Sequence, residues 1–98
     1  MDFKIIWTDP AIEGLGEIVR HIAQDNAPAA QILGLQLVAH MEVAAPFPRI
    51  GPLYSQSGAI EICCLTHGDY RLYYQLGSLP GVIEVVAVRH CAREQPEF

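Results

Sequence analysis

The alternation of apolar and polar residues begins with a short strand and two helices. An apolar run predicts a strand over Phe3–Trp7, which the turn-forming Thr8-Asp9-Pro10 brings to an end. Apolar residues then recur every three or four positions over residues 9–25, and again from Ala30 to Ala45. Because the connection at Asp25–Pro28 is short, we expect the two helices to form an antiparallel hairpin.

The second half of the chain follows a two-residue period. A segment rich in Pro, Gly and Ser predicts a loop over Phe47–Gly58. Three strands are then predicted over Ala59–Leu65, Tyr70–Leu76 and Val82–Val88, and short turns join them into an antiparallel meander. The predicted fold is α+β in the order β-α-α-β-β-β, with residues 1–98 in a single domain.

A helical hairpin can cover only one face of such a sheet. The alternation places four side chains on the face left open: Arg71, Tyr73, Gln75 and Glu84. A one-residue slip in register would reverse this assignment. Four apolar residues are also surplus to a single helix stripe or sheet face, and they predict a groove for a partner protein: Leu35, Val43, Val82 and Val86.

Composition excludes some classes of protein. Apolar residues make up 51% and charged residues 17%, which excludes an intrinsically disordered chain. The net charge of −5 argues against a strongly basic nucleic-acid binder. Lys4 is the one lysine, and the arginines concentrate after residue 48, where any contact with phosphate is expected.

The cysteines indicate neither a disulfide framework nor a metal site. There are three of them, and Cys63 and Cys64 are adjacent, so they point to opposite faces of a strand. No C-x-x-C or H-x-x-x-H spacing is present, and no phosphate- or dinucleotide-binding motif, so we expect no metal and no cofactor. Without a recognisable signal peptide or membrane span, the chain is expected to be cytoplasmic, with no membrane partner.

Six short segments, in order along the chain, are similar to a known family. They are Trp7–Ala11, Leu15–Ile18 with Ile22–Asn26, Ala29-Ala30, Phe47–Gly51, Tyr70–Tyr74 and Val88–Arg93. With them the chain resembles the RelE/ParE toxin superfamily of bacterial type II toxin–antitoxin systems, and the ParE branch is the closer match. The resemblance covers nearly the whole chain.

The resemblance implies a small toxin that a cognate antitoxin, encoded beside it, neutralises in a hetero-oligomer. ParE-like members inhibit DNA gyrase by binding it, and this activity is the first expectation for the chain. RelE-like members instead cleave mRNA on the ribosome, which is the alternative. A relic that binds antitoxin without being toxic is the second alternative.

The candidate site residues depend on which of these activities applies. Cleavage of RNA needs an acid or base and cations that hold the phosphate, and the matched positions are Arg71, His90 and Arg93. The absence of a lysine cluster argues against this chemistry. The residues expected to bind a partner protein are Leu35, Arg71, Tyr73, Val86 and Arg93.

Overall fold

A computed structural model describes residues 2–98 of the chain. Its elements are β1 (Lys4–Trp7), α1 (Asp9–Ala23), α2 (Ala27–Met41), a 3-10 turn (Glu42–Ala44), β2 (Leu53–Ser57), β3 (Ile60–His67), β4 (Tyr70–Leu76) and β5 (Val82–His90). The α+β class and the helical hairpin followed by antiparallel strands are confirmed. The structure has one strand more than the sequence predicted.

The strands form one mixed sheet in the order β1-β5-β4-β3-β2. β2 to β5 are antiparallel, whereas β1 runs parallel to β5 and pairs Lys4 with Val82 and Trp7 with Val85. Thr8 extends this pairing, because its N–H and its hydroxyl both donate to the Val85 carbonyl, over 3.1 and 2.7 Å. The Thr8 hydroxyl therefore fixes β1 to β5 and does not cap α1, unlike the helix-capping Asn26, which accepts from the Ala29 N–H.

The additional strand corrects the prediction of a loop over Phe47–Gly58. β2 pairs with β3 through a two-residue turn in which Gly58 has a φ of +60°. Its sequence carries no apolar alternation, and most of its side chains are exposed. An edge strand of this kind is held by backbone hydrogen bonds rather than by burial, so the hydrophobic pattern gives no signal for it.

Both helices lie on one face of the sheet and enclose the main core. The fully buried members of this core include Leu37 and Met41 from α2 and Leu72, Tyr74, Ile83 and Val85 from the sheet. α1 approaches β5 with little space between the backbones, since a Cβ on Gly14 would lie 3.0 Å from the Val88 carbonyl oxygen. This contact fixes α1 beside the second half of β5.

A β-bulge in β5 changes which of its residues face the helices. Tyr73 pairs with Ala87 and Tyr74 with Val85, so Val86 has no opposite residue on β4. Val88 consequently joins the core, with 3% of its surface exposed. A strict two-residue alternation along β5 would place Val88 on the face opposite Val85, so the bulge is the reason for its burial.

The sheet face away from the helices is not fully open. Tyr73 has no exposed surface, because the rings of Tyr54 and Phe98 lie against it with centroids 4.8 and 5.6 Å away. The Tyr73 hydroxyl donates to Gln95 Oε1, and the Tyr54 hydroxyl donates to the Pro96 carbonyl. Residues 92–98, which we call the C-terminal strap, thus cover the position where Tyr73 was expected to be displayed.

Candidate partner-binding site

Two arginines lie directly opposite each other on β4 and β5. Arg71 pairs with Arg89 in the antiparallel register. Both side chains leave the sheet on the face that carries Tyr73 and Ala87, and both are half-buried. Directly opposite residues on one face are near neighbours, so the register places two positively charged side chains in one small area of the sheet.

No carboxylate within residues 2–98 forms an ion pair with Arg71 or Arg89. Within residues 2–98 the one ion pair joins Arg49 to Glu61, whose closest atoms are 2.7 Å apart. Arg89 donates instead to the backbone carbonyl of Glu94, at 3.3 Å. The neighbouring Tyr73 hydroxyl is the largest cause that raises the pKa of Arg71. Because neither guanidinium group pairs with a carboxylate within residues 2–98, both charges can attract an anion from outside the chain.

His90 ends β5, on the strand face opposite to that of Arg89. Its Nδ1 accepts a hydrogen bond from the Ala92 N–H at 3.0 Å, and its ring meets the edge of Tyr70 with centroids 5.1 Å apart. The Nδ1 atom of His90 therefore stabilises the turn after β5. The other nitrogen, Nε2, is the one left for a proton transfer or for a contact with a partner.

A groove of about 800 Å³ runs between α1 and the second half of β5. Glu13, Glu17 and His21 line its helical side, and Arg89, His90 and Arg93 line the other side. Ile18, Tyr70 and Val86 contribute apolar surface. The groove thus presents acidic groups along the helix and basic groups along the strand.

The structure brings most of the predicted site residues into one region. Val86, His90 and Arg93 line the groove, and Arg71 reaches the same end of the sheet through its pairing with Arg89. Tyr73 is covered by the C-terminal strap, so it offers a partner no surface while the strap is in place. Leu35 lies elsewhere, on an apolar surface of α2 where it is 66% exposed and Ile32 is 57% exposed.

Arg89 and the two glutamates of α1 line the groove, and the sequence prediction did not include them among the candidate site residues. The one signal for Arg89 is its register opposite Arg71, and that register depends on the bulge at Val86. The glutamates occupy one side of α1, facing β5, but the helix period alone does not show which strand that side meets.

The other reactive groups form no second centre. In the described part of the chain, no three His, Cys, Asp or Glu side chains come together as metal ligands do. Burial raises the pKa of the Cys63 and Cys64 thiols, which lowers their reactivity at neutral pH. None of the helices in residues 2–98 is both long enough and apolar enough to cross a bilayer.

Comparison with known proteins identifies the family. The family model described as "ParE toxin of type II toxin-antitoxin system, parDE" matches residues 5–95. The chain belongs to the ParE toxin family. No curated protein is similar enough in sequence to count as a match.

Solved structures share the ParE-family fold at low sequence identity. The chromosomal ParDE system of P. aeruginosa matches with a TM-score of 0.71 and 14% identity, over 90% of this chain and 95% of that one. The RelBE2 toxin–antitoxin complex of Mycobacterium tuberculosis matches with a TM-score of 0.59 and 17% identity, over 92% and 99%. The archaeal RelE–RelB complex of Pyrococcus horikoshii matches with a TM-score of 0.55 and 18% identity, over 96% and 100%.

Proposed function

We propose that this ParE-family chain stops bacterial growth by binding DNA gyrase in the cytoplasm, and that a cognate antitoxin neutralises it. The family match over residues 5–95 is the observation that carries the proposal. The similar solved structures come from ParDE and RelBE toxin–antitoxin systems, which supports an antitoxin as the partner.

The side chains of the groove support binding rather than hydrolysis. The groove has one histidine on its basic side, and the Nδ1 of that residue, His90, is engaged by the Ala92 N–H. Glu13 and Glu17 lie on the helical side and would repel the phosphates of RNA. The net charge of −5 and the single lysine also disfavour a strong grip on ribosomal RNA.

A ribosome-dependent mRNA endonuclease is the second candidate, and one observation favours it. Arg71, Arg89 and His90 lie at one end of the sheet, with His90 on the face opposite the two arginines, and His90 and Arg93 both line the groove. Cations that hold a phosphate beside an imidazole are the groups that cleavage of RNA needs. The two activities differ in their dependence on His90.

Pulse labelling after induced expression, without the antitoxin, separates the two activities. Gyrase inhibition predicts that DNA synthesis falls first while translation continues, and that His90→Ala remains toxic. An early fall in translation that His90→Ala abolishes would establish the endonuclease instead. His21→Ala is the matched control, since this histidine lies on the helical side of the same groove.

Co-expression with the antitoxin tests the partner. We expect growth to be restored, and the two proteins to purify together. If soluble protein accumulates with no effect on either synthesis rate, the toxin proposal fails. A complex with the antitoxin would then identify the chain as a binding module without toxicity.

A further inference from the structure

The arginine pair and the groove form one continuous surface. Arg89, on β5, lines the groove and lies directly opposite Arg71 on β4. A bound segment that lies in the groove and turns over the β5 edge would therefore reach both guanidinium groups. Within the described residues neither arginine forms an ion pair with a carboxylate.

The distribution of charge around this surface selects among anionic ligands. Nucleic acids carry a negative charge at every phosphate. A strand bound in the groove would therefore be repelled by Glu13 and Glu17 as well as attracted by the arginines. A peptide with a single carboxylate can place it between Arg71 and Arg89 and keep uncharged or basic groups along α1. Arginine recognises carboxylates through paired N–H donors, which adds geometric selectivity.

We propose that the Arg71–Arg89 pair is the anchor for one acidic side chain of a partner protein segment that lies in the groove between α1 and β5. The proposal rests on the proposed function, since the antitoxin is the partner that would supply the segment.

The first measurement is the affinity of the antitoxin for the wild type and for Arg71→Gln and Arg89→Gln. We expect each substitution to weaken the complex about 10- to 100-fold, because a charge-assisted bidentate contact is lost. Arg20→Gln is the control, since Arg20 is exposed on α1 and does not line the groove.

Equal affinities for the wild type and both variants would overturn the proposal while leaving the antitoxin as a partner. If no complex forms even with the wild type, the proposed function fails, and a random-sequence peptide library displayed on phage tests the anchor alone. Selected peptides should carry Asp or Glu at one fixed position, and the double variant should no longer select them. Absence of that preference would overturn the proposal.

A short single-stranded RNA oligonucleotide provides the remaining test. We expect it to bind more weakly than the selected peptides, and Glu13→Gln with Glu17→Gln to strengthen RNA binding more than peptide binding. RNA binding that exceeds peptide binding and depends on both arginines would instead assign the pair to nucleic acid.

Discussion

The Nδ1 atoms of His40 and His67 lie 2.9 Å apart and join the last turn of α2 to the end of β3. The ring centroids are 5.0 Å apart, and the short separation of the two nitrogens corresponds to an N–H···N hydrogen bond between the rings. Such a contact accommodates one proton between the two nitrogens. Protonation of the acceptor nitrogen would leave two N–H groups facing each other, which breaks the hydrogen bond and separates the rings.

This pair predicts that stability falls in mild acid. Burial, and then the charge of His67, lower the pKa of His40 below its ordinary value of 6.5. The unfolded chain therefore binds a proton at a higher pH than the folded chain, so this contribution to stability is complete above pH 6.5 and is lost as the pH falls below it. The measurement is the free energy of unfolding in urea across this range.

His40→Gln should flatten that pH dependence, and the exposed His21→Gln should leave it unchanged. If both variants show the wild-type slope, the pair contributes nothing to the pH dependence of stability.

Tyr74→Phe tests a buried hydrogen bond in the core. Tyr74 has no exposed surface, its hydroxyl accepts from the Gly51 N–H at 3.0 Å, and burial raises the pKa of Tyr74 to about 12. Removal of the hydroxyl leaves the Gly51 N–H without that acceptor, which should cost about 1–3 kcal/mol in urea unfolding. Tyr70→Phe should cost less, since Tyr70 is only partly buried. Equal losses in the two variants would contradict the role of this bond.

Phe98→Ala should expose the covered tyrosine beneath the C-terminal strap. Phe98 packs edge-on against Tyr54 and tilted against Tyr73, and aromatic contacts of this kind contribute about 0.5–1.5 kcal/mol each. We expect nitration of Tyr73, followed by mass spectrometry, to become faster in Phe98→Ala. Leu79→Ala, which alters an exposed apolar residue in the turn before β5, should not change the rate. A Tyr73 that is nitrated equally fast in the wild type would show that the strap does not protect it.

Leu35→Gln should separate binding from stability. Leu35 is 66% exposed, so the free energy of unfolding should change by less than about 0.5 kcal/mol. Leu37→Ala, on the buried side of the same helix, should cost about 2–5 kcal/mol. If α2 contacts the antitoxin, Leu35→Gln weakens the complex measured by titration calorimetry. An unchanged affinity would exclude Leu35 from the interface.

The sequence predicts those elements whose signal is local. The bounds of β4, Tyr70–Leu76, are the same in prediction and structure, because its two-residue period is clear and glycine-containing turns flank it. The apolar periodicity locates the C-terminal end of α2 less precisely. The apolar stripe continues to Ala45, whereas α2 ends at Met41 and the chain tightens into a 3-10 turn.

The features that the sequence did not predict depend on contacts distant along the chain. The cover over Tyr73 comes from Tyr54 and from residues 95–98, which no periodic pattern links to β4. The bulge at Val86 exchanges the faces of the residues after it, so it decides both the burial of Val88 and the pairing of Arg89 with Arg71. The periodicity of apolar residues along the chain cannot show that side chains from two strands and one helix come together in one site.

The parallel pairing of β1 with β5 also affects when the protein can fold. Lys4 and Trp7 find their partners only at Val82 and Val85, so the sheet closes around a contact between residues nearly the whole chain apart. Contacts this distant form late, because a long loop must be ordered first. A nascent chain that stops before Val82 lacks the strand that holds β1 and lacks Arg89 and His90. Incomplete translation products that end before Val82 therefore lack the strand side of the groove, which forms only after synthesis has passed β5.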